Sequence, residues 1–193
     1  MRRIVATENV TLDGIMQAPG REDEDTRGGF VHGGWASAYD DAVKGEAMGR
    51  GMASTGAMLF GRTTYEDFYS VWPNRTDNPF TGFLNSIQKY VVSRTLVEPL
   101  PWENSTLLSG EGADTVAALK KEDGPDIAII GSGALVRSLS AHGLVDEYVL
   151  LIHPVVFGSG QRLFPDGATY ANFDLVDSVS TSKGVVIATF GLK

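Results

Sequence analysis

"AIIGSGALV", residues 128–136, is the stretch whose reading decides the fold. Apolar residues run to Ile130, Gly131 and Gly133 bracket Ser132, and beyond them Leu135, Leu139 and His142 recur at three- and four-residue spacing up to Gly143. That order predicts a buried strand, a glycine turn, and an amphipathic helix over 133–142 closed by a left-handed cap residue. A strand ending in glycines at a helix N-terminus presents unpaired backbone N–H groups and the positive end of the helix dipole, which suits an anion. The G-x-G-x-x-G dinucleotide fingerprint fails, because position 136 is Val and the unit sits late in the chain. A tight strand-to-helix turn without a ligand is the competing reading of these residues taken alone.

Outward from this unit, short β-rich runs alternate with helical ones. Residues 3–9, 57–61, 89–93, 127–131, 147–153 and 185–191 read as strands, several of them continuously apolar, as in a sheet covered on both faces. Helices are expected over 36–53, 63–70, 80–87, 113–122 and 133–142. The glycines at 45, 49, 51 and 56 each cost a helix about 1 kcal/mol, so the helix near 45–53 is expected to be short or closely packed. After Pro154 the pattern changes to "FDLVDSVST" and "GVVIATFG", joined by the polar "SKG", which predicts an antiparallel hairpin. The expected class is α/β: a mainly parallel mixed sheet with helices on both faces and an antiparallel end.

Composition bounds the function. A chain of 193 residues with 42% apolar and 21% charged residues fits one globular domain, 1–193, without repeat, linker or low-complexity segment. With no cysteine, disulfides, thiolate metal sites and cysteine nucleophiles are excluded. The start "MRRIVATENVTLDG" lacks a signal-peptide core, and "YVLLIHPVVFG" is interrupted by His153 and Pro154, so a cytoplasmic protein with no membrane span is expected. A net charge of −8 weighs against nucleic-acid binding but permits a small basic pocket. No His/Asp/Glu grouping has metal-ligand spacing.

Two further stretches resemble the opening turn in kind. "LFGRTTYEDF", 59–68, ends a strand in Gly61 and opens a helix with Arg62, Thr63 and Thr64 as donors; "YVVSRTL", 90–96, ends another in Ser93, Arg94 and Thr95, suited to a phosphate monoester. Singly, each reads equally as a capped helix or solvated loop. Together they place anion donors along the carboxyl edge of an α/β sheet, where ligands of such folds bind. A ligand carrying several phosphates along its length, such as NADPH, is the economical reading.

The motifs "GRTTYEDF", "VVSRT", "IIGSGALVRSL…LVDEYVLLIH" and "GQRLFPD", in this order and across nearly the whole chain, resemble the dihydrofolate reductase superfamily, including the reductase domain of bacterial riboflavin biosynthesis. "VTLDGIMQAPG" and "HGGWASAYDD" resemble most the branch of dihydrofolate reductase family, or riboflavin-reductase C-terminal-domain-like, proteins. The resemblance implies a three-layer α/β/α sandwich, a homodimer, and an NADPH-dependent reductase of a small heterocycle such as a pterin or pyrimidine. It implies that Gly61, Arg62, Thr63 and Thr64 hold the pyrophosphate, Ser93, Arg94 and Thr95 the 2′-phosphate, and Gly131, Ser132, Gly133, Ala134 and Leu135 the remaining diphosphate side. Riboflavin-pathway reductases read Glu-Gly-Gly at this turn. Here Ile130 precedes Gly131, which removes a substrate-facing carboxylate.

Hydride from a nicotinamide requires of the protein an oriented pocket and one proton. The spacing from Trp35 to Asp40 in "WASAYD" resembles the Trp-to-acid spacing of dihydrofolate reductases, which makes Asp40 the first candidate donor; the alternative is an acid in a first helical turn. Asp13 of "TLDG" resembles the first-loop Asp of riboflavin-type domains, though Asp-Gly is also an ordinary turn. Trp35, Tyr39 and His32 are expected to line the pocket, while His153 and the group Met48, Met52 and Met58 read as packing. A nucleotide-binding module without turnover and a riboflavin-pathway reductase stay open as alternatives.

Overall fold

Alternation in the first strand sets the layers. In β1 (Ile4–Thr11) the side chains of Ile4, Ala6 and Val10 enter one core, while Asn9 faces the opposite side. The computed structural model describes all residues from Met1 to Lys193. After β1 come α1 (Ala42–Ser54), β2 (Thr55–Gly61), α2 (Arg62–Val71), α3 (Phe80–Ser86), β3 (Gln88–Val92), β4 (Ser105–Leu108), α4 (Gly112–Lys121), β5 (Asp126–Ile130), α5 (Gly133–Ala141), β6 (Glu147–His153), β7 (Phe173–Ser180) and β8 (Val186–Leu192). They form one eight-stranded sheet in the order β4-β3-β2-β5-β1-β6-β8-β7. Every pairing among β1 to β6 is parallel, and β8 runs antiparallel between β6 and β7.

Two cores cover the two faces. Val116 and Leu119 of α4 and Leu135, Val136 and Leu139 of α5 pack on Ile4, Ala6, Leu59, Ile127 and Ile129. On the other side Tyr65 of α2 and Leu84 of α3 pack on Met58, Phe60 and Val91, and Ala47 and Met48 of α1 lie against Leu151, Val185 and Ile187. The three-layer α/β/α arrangement with its C-terminal hairpin is the expected one.

Details differ from the sequence reading. The helix expected from residue 36 begins only at Ala42; Ser37–Tyr39 forms a separate 3-10 turn, because Asp41 in extended conformation caps α1 through the Lys44 N–H. Gly45, Gly49 and Gly51 face open space, so α1 is neither short nor closely packed at its glycines. Gly56 is different, since a Cβ there would run into the Pro125 ring. Strand β4 escaped the sequence reading because "STLL" is short and lies at the sheet edge.

Candidate functional site

The strand order brings five chain turns side by side at the carboxyl edge of the sheet, following β3, β2, β5, β1 and β6. All three anion-donor stretches lie here in adjacent positions. Gly131 and Ser132 both adopt left-handed backbone, with φ of 66° and 57°. This folds the chain so that Ser132 Oγ accepts the Gly61 N–H at 3.0 Å and Thr64 Oγ1 accepts the Ser132 N–H at 3.0 Å. The β2–α2 and β5–α5 turns are thus braced against each other. Each hydroxyl, having accepted one bond, keeps its own proton for a further acceptor.

Neither α2 nor α5 has a side-chain cap, so their first-turn N–H groups, those of Thr63, Ala134 and Leu135 among them, have no partner inside the helix. On the neighbouring turn, Ser93 Oγ accepts the N–H groups of Thr95 at 3.1 Å and Leu96 at 3.0 Å. Thr95 Oγ1 accepts Arg62 Nη1 at 2.7 Å, tying that turn to α2. Arg62 also holds Glu66 at 2.9 Å, while Arg94 stands largely in solvent with Glu111 as a loose partner at 3.6 Å. Gly133 admits Met16 from the loop after β1, since a Cβ there would lie 2.5 Å from Met16 Sδ. Two uncapped helix ends, free hydroxyl protons and two guanidinium groups on one edge form a donor set that fits a dinucleotide with phosphates.

Beside this edge, above β1 and β6, lies an aromatic corner. Trp35 is buried, donates Nε1–H to the Gln17 carbonyl at 2.8 Å, and stands edge-on to His153 with centroids 4.9 Å apart. Tyr39 meets the same imidazole edge-on at 5.3 Å. His153 is fully buried and its Nε2 lies 2.9 Å from Asn9 Oδ1, which makes Nε2 the protonated nitrogen and leaves Nδ1 buried without a partner. Burial, and secondarily the Lys44 ammonium, lowers its pKa to about 4, so the ring is neutral. His32 is exposed and stacked flat on Phe157 at 4.6 Å, and Phe157 in turn meets Trp35 edge-on at 5.8 Å.

The two acids singled out in the sequence are not enclosed by this corner. Asp40, the first candidate donor, is 67% exposed and ion-paired to Lys44 at 2.8 Å. Asp13 accepts from Thr11 Oγ1 at 2.6 Å and from the Gly158 N–H at 2.8 Å. Desolvation pushes its pKa up, but these hydrogen bonds and those from backbone N–H groups outweigh it, and the net shift is downward. Asp13 is an ionised clasp between two loops. The acid that the sequence reading missed is Glu8, 2% exposed on the α5 side of β1, with burial raising its pKa well above the usual carboxylate value. Its signal was there: Glu8 occupies an inward position of the alternation Ile4, Ala6, Val10.

A model describing the RibD C-terminal domain matches residues 2–187. The chain belongs to the RibD C-terminal domain family. It is 30% identical over 191 residues to the uncharacterized protein YyaP of Bacillus subtilis (strain 168), which covers 96% of this chain and 92% of that relative. Among solved structures it resembles a provisionally named riboflavin biosynthesis protein from Shewanella sp. PV-4, with a TM-score of 0.68, 20% identity, and 100% and 99% of the two chains covered. A pyrimidine reductase-like protein from Corynebacterium diphtheriae superposes with a TM-score of 0.65 at 12% identity, covering 100% of this chain and 92% of its own. Acinetobacter baumannii RibD gives 0.62 at 13% identity, and this chain spans 58% of it. At these identities the structures carry the fold, and the family membership points to reductase chemistry. No helix is long and apolar enough to cross a membrane.

Proposed function

We propose that this RibD C-terminal-type domain is an NADPH-dependent reductase of a small, planar, nitrogen-rich heterocycle, of the pyrimidine or pterin kind. The observation that carries the reading is the brace between the α2 and α5 turns, which sets two uncapped helix N-termini beside each other with Arg62 and Arg94 on the same edge. Helix ends and guanidinium groups together recognise phosphates. When bound, the reduced nicotinamide supplies the hydride. Gly61–Thr64 and Gly131–Leu135 bind the diphosphate, and Arg94 takes the 2′-phosphate. Trp35 and Tyr39 close one side of the substrate corner and exclude water. The proton comes from solvent, because Asp40 sits outside the corner and Asp13 is ionised and fully engaged. The name of the Corynebacterium relative, a pyrimidine reductase-like protein, supports a pyrimidine over a pterin.

Those same two acids favour one second reading, a nucleotide-binding module without turnover. NADPH oxidation measured with a panel of aminopyrimidines, iminopyrimidines and pterins separates the two: hydride transfer to any member establishes the reductase, and tight NADPH binding with no transfer to any establishes the module. The assembly proposed is a homodimer, supported by exposed apolar residues of the outer hairpin, Leu175, Val176 and Leu192.

A further inference from the structure

Outside the dinucleotide edge and the aromatic corner, one cleft is built of polar groups. It opens between α5 and the segment that follows β6, with a volume of about 370 Å³. Arg137, Gly160, Gln161, Arg162, Pro165 and Asp166 wall it, with no Leu, Val, Ile, Met or aromatic side chain among them. Its size is that of a small-molecule site, and its walls offer an apolar ligand nothing. The segment after β6 is fixed in place. Ile15 and Arg162 pair as an antiparallel bridge, the Met16 N–H donates to the Gln161 carbonyl at 2.8 Å, and Oε1 of the buried Gln17 accepts the Gln161 N–H at 2.9 Å.

Both guanidinium groups of the cleft lack a counter-ion. Arg137 is half-buried and spends one N–H on the Arg162 carbonyl at 3.0 Å, with no carboxylate in ion-pair reach. Arg162 is exposed and makes neither an ion pair nor a side-chain hydrogen bond, and Asp166 faces the same cleft without reaching either arginine. Elsewhere Arg3, Arg21, Arg27, Arg62, Arg75 and Arg94 all hold carboxylates. Burial, and after it the like charge of Arg27, oppose the ionised form of Arg137, and the pull of Glu8 does not offset them. A guanidinium stays charged regardless, so the group that would complete the cleft is an anion.

We propose that this cleft is a second anion site, in which Arg137 and Arg162 grip a small phosphate-type dianion, free or esterified to a small polar body. A tetrahedral oxyanion has acceptors enough for two guanidinium forks at once. The site adjoins the dinucleotide edge but draws on other donors. Arg137 stands one turn along α5 from Gly133, with Nη1 3.2 Å from where a Cβ of that glycine would lie, and the opposite wall is the segment after β6, which supplies nothing to the edge. The proposal therefore holds whether or not a dinucleotide binds there.

Inorganic phosphate and glycerol phosphate, titrated separately at constant ionic strength, supply the test, read from the arginine Nε–Hε signals of the isotope-labelled protein. Arg137→Lys and Arg162→Lys assign the two signals by their loss. Both should shift saturably with at least one probe, while the signal of Arg50, an exposed arginine of α1 without an ion pair, should not. Whichever probe binds more tightly names the source of the anion, and either order supports the site. Arg162→Ala removes an exposed side chain without partners and should weaken the Arg137 response about tenfold. Asp166→Asn removes the carboxylate facing the cleft and should tighten it about twofold at low salt. NADPH added first should leave the shifts in place. Shifts no more saturable than that of Arg50, an affinity unmoved by Arg162→Ala or weakened by Asp166→Asn, or displacement of phosphate by NADPH overturns the proposal.

Discussion

Ser132 Oγ accepts the Gly61 N–H at 3.0 Å across 71 residues of chain, and this bond fixes the distance between the two helix ends on which a diphosphate would rest. Ser132 does so in a left-handed conformation that costs a side chain about 1–2 kcal/mol. Ser132→Ala keeps that cost and leaves the Gly61 amide without its acceptor, a loss of about 1–3 kcal/mol. Ser132→Gly loses the same bond but relieves the backbone. Denaturant unfolding should therefore rank the native protein above Ser132→Gly, and Ser132→Gly above Ser132→Ala by roughly 1 kcal/mol. Equal losses would mean that the left-handed turn is not strained.

His153 sets an acid limit on stability. Its folded pKa of about 4 lies below the ordinary histidine value near 6.5, so the unfolded chain takes up a proton first as the pH falls. The stability this group contributes is complete above about pH 6.5 and is lost progressively down to about pH 4, on the order of 3 kcal/mol in all. His153→Leu is expected to be less stable at pH 7, where the Asn9 bond is lost. Its stability should fall less steeply than that of the native protein between pH 6.5 and 4. Parallel slopes in urea unfolding would show that His153 titrates normally in the fold.

Much of this edge was legible in the sequence because glycine punctuation and helix periodicity are local signals. The turn after Ile130, the α5 cap at Gly143 with its φ of 64°, and the hairpin around "SKG" were all read from neighbours in the chain. What escaped depends on which face a residue meets in three dimensions. His153 looks like packing beside Pro154, and only the register of β6 against β1 brings it to Asn9. Asp40 has the right distance in sequence from Trp35, yet the extended Asp41 cap turns the chain there and sends Asp40 outward to Lys44. The hydroxyls of Thr64 and Ser132 read as free ligand donors, but each also serves as an acceptor that joins the turns.

The outer hairpin predicts association. β7 is an edge strand exposed along most of its length, with Leu175 and Val176 about three-fifths exposed. Light scattering should report twice the 20.7 kDa of one chain. Leu175→Asp paired with Val176→Asp should yield monomers with an unaltered circular dichroism spectrum, since neither residue is part of a core. A monomer at all concentrations in the native protein would remove the proposed interface.

In the proposed NADPH-dependent reductase, cofactor choice would rest on two arginines in unlike settings. Arg94 reaches into solvent with only a loose ion pair to Glu111 at 3.6 Å, and exposed pairs of this kind are worth less than about 1 kcal/mol, so the guanidinium is available to a 2′-phosphate. Arg62 is held at the start of α2 by Thr95 and Glu66, where a diphosphate common to both nicotinamide cofactors would lie. A charge-assisted hydrogen bond contributes about 1.5–3 kcal/mol. Arg94→Ala should therefore weaken NADPH binding about ten- to hundredfold and leave NADH nearly unchanged, while Arg62→Ala should weaken both to a similar degree. Glu111→Gln, which removes the competing carboxylate, should strengthen NADPH binding about twofold at low salt, and that gain should vanish as ionic strength rises. Titration calorimetry with both cofactors checks all three. Equal losses of NADPH and NADH affinity in Arg94→Ala would move Arg94 from the 2′-phosphate to the diphosphate, and with it the register of the dinucleotide along the sheet edge.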